Sequence, residues 1–265
     1  MSDHPIAARW RVVRAERRGA LIPYLTGGFP TPAASLEALH RVARAGADFI
    51  EVGVPFSDPL ADGPTIQRST QTALDQGVEL PAVLDLVRRA RLAVPVVLMT
   101  YVNPVLAYGV ERFLLGAHAA GAAGVLLTDL PAGADPALER RVVESPLALI
   151  RLVAPTTTEE RLRAIMVGAG GFVYLISRLG VTGARDAVPV DLEAYVARVR
   201  RATALPLAVG FGLSTAAQVE RTVRVADGVV VGSALIDALN AGGPDRLEAL
   251  VRDLAAAVRR PGAAP

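Results

Sequence analysis

The chain has 265 residues, 52% hydrophobic and 20% charged, and its 28 basic and 26 acidic side chains leave a formal charge of +2. That length holds one large α/β domain or two small ones, and the near balance of charge leaves no dense basic face for nucleic acid. Cysteine and lysine are both absent, which excludes disulfides, thiolate chemistry and any Schiff base formed on this chain.

Residues 1–20 are charged throughout and carry no secretory pattern. No apolar run approaches the ~20 residues that a membrane-spanning helix needs, so no membrane role is expected and a cytoplasmic location follows by default. In chain order, a helix over 6–18 precedes a first strand at 21–25 and a helix at 32–45. A second strand at 49–53 leads into a loop, followed by a helix at 80–92 and a strand at 94–100. Next come a helix at 110–120, strands at 124–128 and 147–153, and a helix at 158–167. The last third alternates strand 172–177, helix 192–203, strand 207–210, helix 215–223, strand 228–231 and a final helix at 245–259.

The strands are almost wholly apolar, as parallel strands covered by helices are. Eight of them alternating with helices predict a (β/α)8 TIM barrel in a single domain over 1–265, with an extra N-terminal helix and flexible tails at 1–5 and 260–265. An open doubly wound sheet is the structural rival.

The second strand carries Glu51, a carboxylate inside an apolar run, and the loop after it carries Asp58 and Asp62. A charged group in a buried strand costs several kcal/mol unless something compensates it. Either Glu51 pairs with an arginine, or it serves chemistry at the strand ends where barrel enzymes place their catalytic groups. Paired with Asp62 across a substrate, it would suit proton transfer without metal or cofactor. Taken singly, Asp58 reads as a turn cap before Pro59 and Asp62 as an ordinary Asp-Gly-Pro turn.

Glycine-containing turns follow the late strands: Gly180 to Gly183, Gly210 to Ser214, and Gly232-Ser233-Ala234. Glycines there let backbone N–H groups approach phosphate oxygens. A short helix after the eighth strand would add its N-terminal charge, with Ser233 as cap and donor. His4, His40 and His118 read as surface or packing residues, and no spacing suggests a metal site.

The segment EVGVPFSDPLADGPTIQ, from Glu51 to Gln67, resembles the signature of the tryptophan synthase alpha-chain family. MTYVNP at 99–104, TDLP at 128–131, SRLGVTGAR at 177–185 and Gly210-Phe211-Gly212 extend the resemblance over about residues 22–239. It implies a lyase of tryptophan biosynthesis that splits indole-3-glycerol phosphate into indole and glyceraldehyde 3-phosphate, with Glu51 and Asp62 as the catalytic carboxylates. By the same resemblance Gly183, Gly212, Gly232 and Ser233 would hold the phosphate. Tyr174 and Phe211, with Leu21 and Leu126, would line the indole pocket.

Residues 178–190 would form a lid whose Thr182 hydrogen-bonds Asp62 on closure. No cofactor is implied in this chain; pyridoxal phosphate would sit on a partner beta subunit in an alpha2beta2 assembly. Asp58, Asn103 and Pro104 are the candidate contacts to that partner. Gly27-Gly28-Phe29 and the wholly arginine basic set depart from many relatives. A free-standing lyase that releases indole, and a non-catalytic barrel subunit, remain as alternatives.

Overall fold

A computed structural model describes residues 4–177, 191–210 and 212–259. In chain order it opens with α1 (Pro5–Ala15), β1 (Ala20–Thr26), α2 (Pro32–Arg44), β2 (Ile50–Gly53), α3 (Pro64–Asp75) and α4 (Leu80–Ala90). The middle holds β3 (Val96–Thr100), α5 (Val102–Tyr108), α6 (Val110–Ala120), β4 (Ala122–Leu127), α7 (Pro136–Glu144) and β5 (Ala148–Val153). Then follow α8 (Glu159–Met166), β6 (Val173–Ile176), α9 (Leu192–Arg200), β7 (Leu207–Gly210), α10 (Ala216–Thr222), β8 (Gly228–Val231) and α11 (Ser233–Val258). The eight strands close in sequence order into one parallel barrel, and β1 pairs with β8 through Ala20↔Gly228 to Pro23↔Val231. The rival open sheet is thereby excluded.

The strands are short, and each divides its side chains between two cores. Ala20, Ile22, Val97, Leu126, Ile150, Tyr174, Ala208 and Val230 fill the barrel interior. Leu21, Val52, Leu98, Val125, Leu149 and Val229 pack outward against helix side chains such as Leu39, Val42, Val87 and Leu235. Both faces of the strands are covered, hence the long hydrophobic runs, interrupted by the buried ionisable side chains of Glu51 in β2 and Arg151 in β5.

Helix α1 belongs to the inner core. Its Ile6, Trp10 and Val13 join the interior cluster, and the Trp10 ring lies 5.0 Å from Phe49 and 6.0 Å from Phe172. His4 starts this helix by accepting from the Ile6 N–H through Nδ1 at 3.3 Å, and His40 bonds the Ala90 carbonyl through Nε2 at 2.9 Å. Both histidines thus have local structural partners.

Three helices escape the sequence reading. Helix α3 buries Ile66, Ser69, Thr70 and Ala73, a face too polar to give an apolar stripe. Helices α5 and α7 have only 7 and 9 residues. The short helix expected after the eighth strand is the first part of α11, which is broken from the rest by non-helical Gly242 and Gly243 ahead of Pro244.

The N-terminal end of the barrel is tied by Asp48, just ahead of β2 and wholly buried. Its oxygens accept from Arg18 Nη1 at 2.6 Å, Arg18 Nη2 at 2.8 Å and the Leu21 N–H at 3.0 Å. Arg9 of α1 adds a contact at 2.9 Å. Asp227 repeats the device ahead of β8, accepting from Arg200 at 2.6 Å and the Leu207 N–H at 2.7 Å. Removing one partner of a buried pair strands the other charge, so Asp48→Ala should lose about 3–5 kcal/mol of stability in denaturant unfolding. The buried ion pair that was one option for Glu51 is held instead by Asp48, three residues earlier.

Candidate active site

Glu51 points into the mouth of the barrel at the C-terminal ends of the strands, only 1% exposed. Its register partners are Tyr24 on β1 and Val97 on β3. A cavity there is lined by Tyr24, Glu51, Asp62, Ile66, Met99 and Tyr174. Gly212, Leu213, Ser214, Val230, Gly232, Ser233 and Ala234 complete the lining. The two carboxylates thus share one cavity with the glycine turns of β7 and β8.

No ion pair reaches Glu51 among the described residues, and its Oε1 is buried without a hydrogen-bond partner. Burial, reinforced by the charge of Asp62, lifts its pKa to about 8. Asp62 is raised to about 6, again mainly by burial, and a hydrogen bond from Tyr101 works in the opposite direction. The two environments separate the carboxyls: near neutral pH Glu51 holds its proton and Asp62 is ionised, the division of labour that acid/base sites require.

Asp62 is held from several directions. The Tyr101 hydroxyl donates to its Oδ2 at 2.9 Å and accepts the Ala61 N–H at 3.0 Å. The Asp62 N–H bonds the Pro59 carbonyl at 3.0 Å, and Gln67 Nε2 donates to the Asp62 carbonyl at 2.9 Å. The Phe56 ring packs 5.2 Å from that of Tyr101. The Asp-Gly-Pro segment is more than a turn: Gly63 is the N-cap of α3 and Pro64 its first residue.

Tyr24 and Tyr174 stand in the cavity in matching ways. A Cβ on Gly53, at the end of β2, would meet the Tyr24 hydroxyl at 2.0 Å, and a Cβ on Gly210, at the end of β7, would meet that of Tyr174 at 2.2 Å. Each ring lies over the glycine of the neighbouring strand because no side chain stands there. The Tyr24 hydroxyl is 3.4 Å from Thr26 Oγ1, which lies 2.7 Å from Ser69 Oγ.

Across the mouth, Gly212 has φ +82°, and Gly232, Ser233 and Ala234 begin α11. The first N–H groups of a helix lack intrahelical partners and carry partial positive charge. Gly232 presents bare backbone there; a Cβ at that position would stand 3.4 Å from the Tyr24 side chain.

Of the residues singled out in the sequence, Glu51, Asp62, Tyr174, Gly212, Gly232 and Ser233 line this cavity. Thr182, Gly183 and Phe211 lie outside the described residues. Leu21 does not reach the cavity: it packs in the outer core with the helices, because strand side chains alternate and Ile22 and Tyr24 take the inward positions. Leu126 does face inward but sits in the interior cluster, beneath the cavity lining. Tyr24, Ile66 and Met99 were missed. Tyr24 shows itself only through its pairing with Glu51 across β1 and β2, and Tyr101 stood inside the MTYVNP motif without a role. On the outer rim Asp58 and Asn103 are exposed and Pro104 half-buried. Leu60 beside Asp58 is 90% exposed, and Leu106 on α5 53%.

The family model for the tryptophan synthase alpha chain matches residues 11–261. The chain belongs to that family. It is 47% identical to the tryptophan synthase alpha chain of Acidiphilium cryptum, over 96% of this chain and 97% of that one. It is 45% identical to that of Chloroflexus aurantiacus, over 97% and 99%. A chain of Mycobacterium tuberculosis tryptophan synthase superposes with a TM-score of 0.90 at 42% identity, covering 98% of this chain and all of the other. The alpha chain of Legionella pneumophila superposes equally well, with a TM-score of 0.90 at 32% identity over 98% and 99% of the two chains. The reaction of the family is the aldol cleavage of indole-3-glycerol phosphate, a lyase step of tryptophan biosynthesis.

A buried acid with a raised pKa makes the fold less stable as pH climbs, because the native state holds a proton that the unfolded chain has released. For Glu51 that window runs from the ordinary glutamate value of 4.5 to about 8. The melting temperature of Glu51→Gln should therefore exceed that of the wild type by a margin that widens between those limits and levels off above them. The full effect is on the order of a few kcal/mol.

Proposed function

We propose that Glu51 and Asp62 perform the cleavage together. Protonated Glu51 delivers its proton to C3 of the indole ring. The ring becomes cationic, with the charge spread to its nitrogen, where ionised Asp62 accepts the N–H and stabilises it. Glu51, now a carboxylate, removes the proton of the glycerol hydroxyl next to the scissile bond. The C–C bond breaks, its electron pair returns to the ring and quenches the positive charge, and indole and glyceraldehyde 3-phosphate are formed. The protonated ring is the electron sink, so no imine on a lysine is required, in keeping with the lysine-free sequence.

The observation that carries this reading is the buried Glu51 carboxyl, with its Oε1 unpartnered, in one cavity with Asp62. The phosphate is assigned to the rim opposite the carboxylates, on the backbone of Gly212, Gly232 and Ser233, with Gly183 completing the cradle. Tyr174, Tyr24 and Met99 flank the ring, with Phe211 as a further wall. Thr182 would reach Asp62 when substrate is bound.

The partner assigned here is a tryptophan synthase beta subunit that carries pyridoxal phosphate and receives the indole, in an alpha2beta2 assembly. Its docking face is the loop bearing Asp58 and Leu60 together with Asn103, Pro104 and Leu106 of α5. Two large apolar side chains exposed so near the mouth support that placement. The test is cleavage of indole-3-glycerol phosphate by the purified chain, with and without beta subunit. Activity should rise with pH through about 6 as Asp62 ionises and fall above about 8 as Glu51 loses its proton. Glu51→Gln should lose at least ~100-fold in kcat. A wild type inactive under both conditions, or an active Glu51→Gln, would overturn the assignment.

A further inference from the structure

We infer that Asp129, on the loop after β4, is a positioning residue for the cleavage: it holds the first N–H of α5, thereby fixes Tyr101, and through Tyr101 orients the carboxylate of Asp62. Asp129 touches neither the cavity nor the two carboxylates. Its Oδ1 accepts the Val102 N–H at 2.7 Å. Val102 opens α5, and Tyr101 is the N-cap of that helix, with no capping bond from its own side chain. The Tyr101 hydroxyl is engaged elsewhere, donating to Asp62 Oδ2 and accepting from the Ala61 N–H. The capping that Tyr101 cannot supply comes from the neighbouring loop.

That loop is itself anchored. The Thr128 N–H and Oγ1 both donate to the Thr100 carbonyl, at 2.9 and 3.2 Å. Farther along, Arg151 of β5, only 5% exposed, donates to the Leu130 carbonyl at 3.4 Å and pairs with Glu139 of α7. Glu139 in turn accepts the Gly133 N–H at 2.7 Å. A chain of bonds therefore runs from β5 and α7, through the β4 loop and the start of α5, to Asp62. Only its last link touches a carboxylate that the reading above places on the substrate, and the inference rests on that reading.

The consequence is a pH signature. Asp62 faces the Tyr101 hydroxyl on the loop side and Glu51, Tyr24 and Tyr174 on the barrel side, and among these the Tyr101 hydrogen bond favours the ionised form. If Tyr101 swings away, Asp62 holds its proton to higher pH. A residue that merely capped a helix would alter stability and leave that limb in place.

The test compares Asp129→Ala, Asp129→Asn, Tyr101→Phe and the Asp129→Ala/Tyr101→Phe double variant, as full chains with the beta subunit, on indole-3-glycerol phosphate. Asp129→Ala should lower kcat about tenfold while KM stays within about twofold, since the phosphate cradle is untouched. Its acid limb should move to higher pH, as in Tyr101→Phe. Asp129→Asn keeps an acceptor oxygen and should restore both. The double variant should be no slower than Tyr101→Phe, because both act through one hydrogen bond. An Asp129→Ala enzyme with wild-type kcat and acid limb overturns the inference, as does multiplication of the two losses in the double variant or an Asn variant as impaired as the Ala one. A wild type with no cleavage would sink the role of Asp62 and this inference with it; an active wild type beside an indifferent Asp129→Ala sinks the inference alone.

Discussion

The interaction on which the rest depends is a missing one. Glu51 is buried at the lip of an apolar barrel with one oxygen unpartnered, and a second carboxylate lines the same cavity. The neutral form of Glu51 is the cheaper one to bury, so the cavity wall holds a proton near neutral pH. A nearby arginine would cancel that effect. The buried arginines, Arg18 ahead of β1 and Arg151 within β5, are engaged with Asp48 and Glu139 and do not line the cavity.

The architecture separates two kinds of chemistry on one rim. On the side of β2 and α3 stand ionisable side chains, with Asp62 held by Tyr101. On the side of β7, β8 and α11 stand glycines and a helix start, where the backbone itself faces the cavity. Two tyrosines, each seated over a glycine at the end of the next strand, stand between them. On the assignment proposed above, a substrate with a phosphate at one end and an aromatic ring at the other spans that mouth in a single orientation. Binding and orientation are then one event, which is how a static scaffold lowers the entropic part of a barrier.

The loops after β2, β3 and β4 behave as one collar. Tyr101 is common to two of them: it caps α5 by position and clamps Asp62 by its hydroxyl. The proposed docking face for the beta subunit, around Leu60 and Leu106, is built on the same two loops. The proposed docking face and the Tyr101 contacts to Asp62 and Ala61 thus belong to the same two loops.

Eight apolar strands, the alternation with helices, the Glu51 to Gln67 block and the glycine turns are all visible in the sequence, because each is a local pattern with a local cause: burial on both faces, 3.6-residue periodicity, or tight backbone approach. That was enough for the barrel and for naming Glu51 and Asp62, which the fold brings to one cavity. The sequence did not reveal α3, whose buried face includes Ser69 and Thr70, because partly polar packing leaves no stripe. It also misplaced Leu21 in the pocket. Neighbouring strand residues face opposite ways, and only closure of the sheet, pairing Tyr24 with Glu51, decides which parity points inward. The raised carboxyls, the choice of Asp48 rather than Glu51 for the buried arginine pair, and the line from Asp129 to Asp62 arise from contacts between residues far apart in the chain. Such contacts exist only once the barrel has closed and water has been excluded from its mouth.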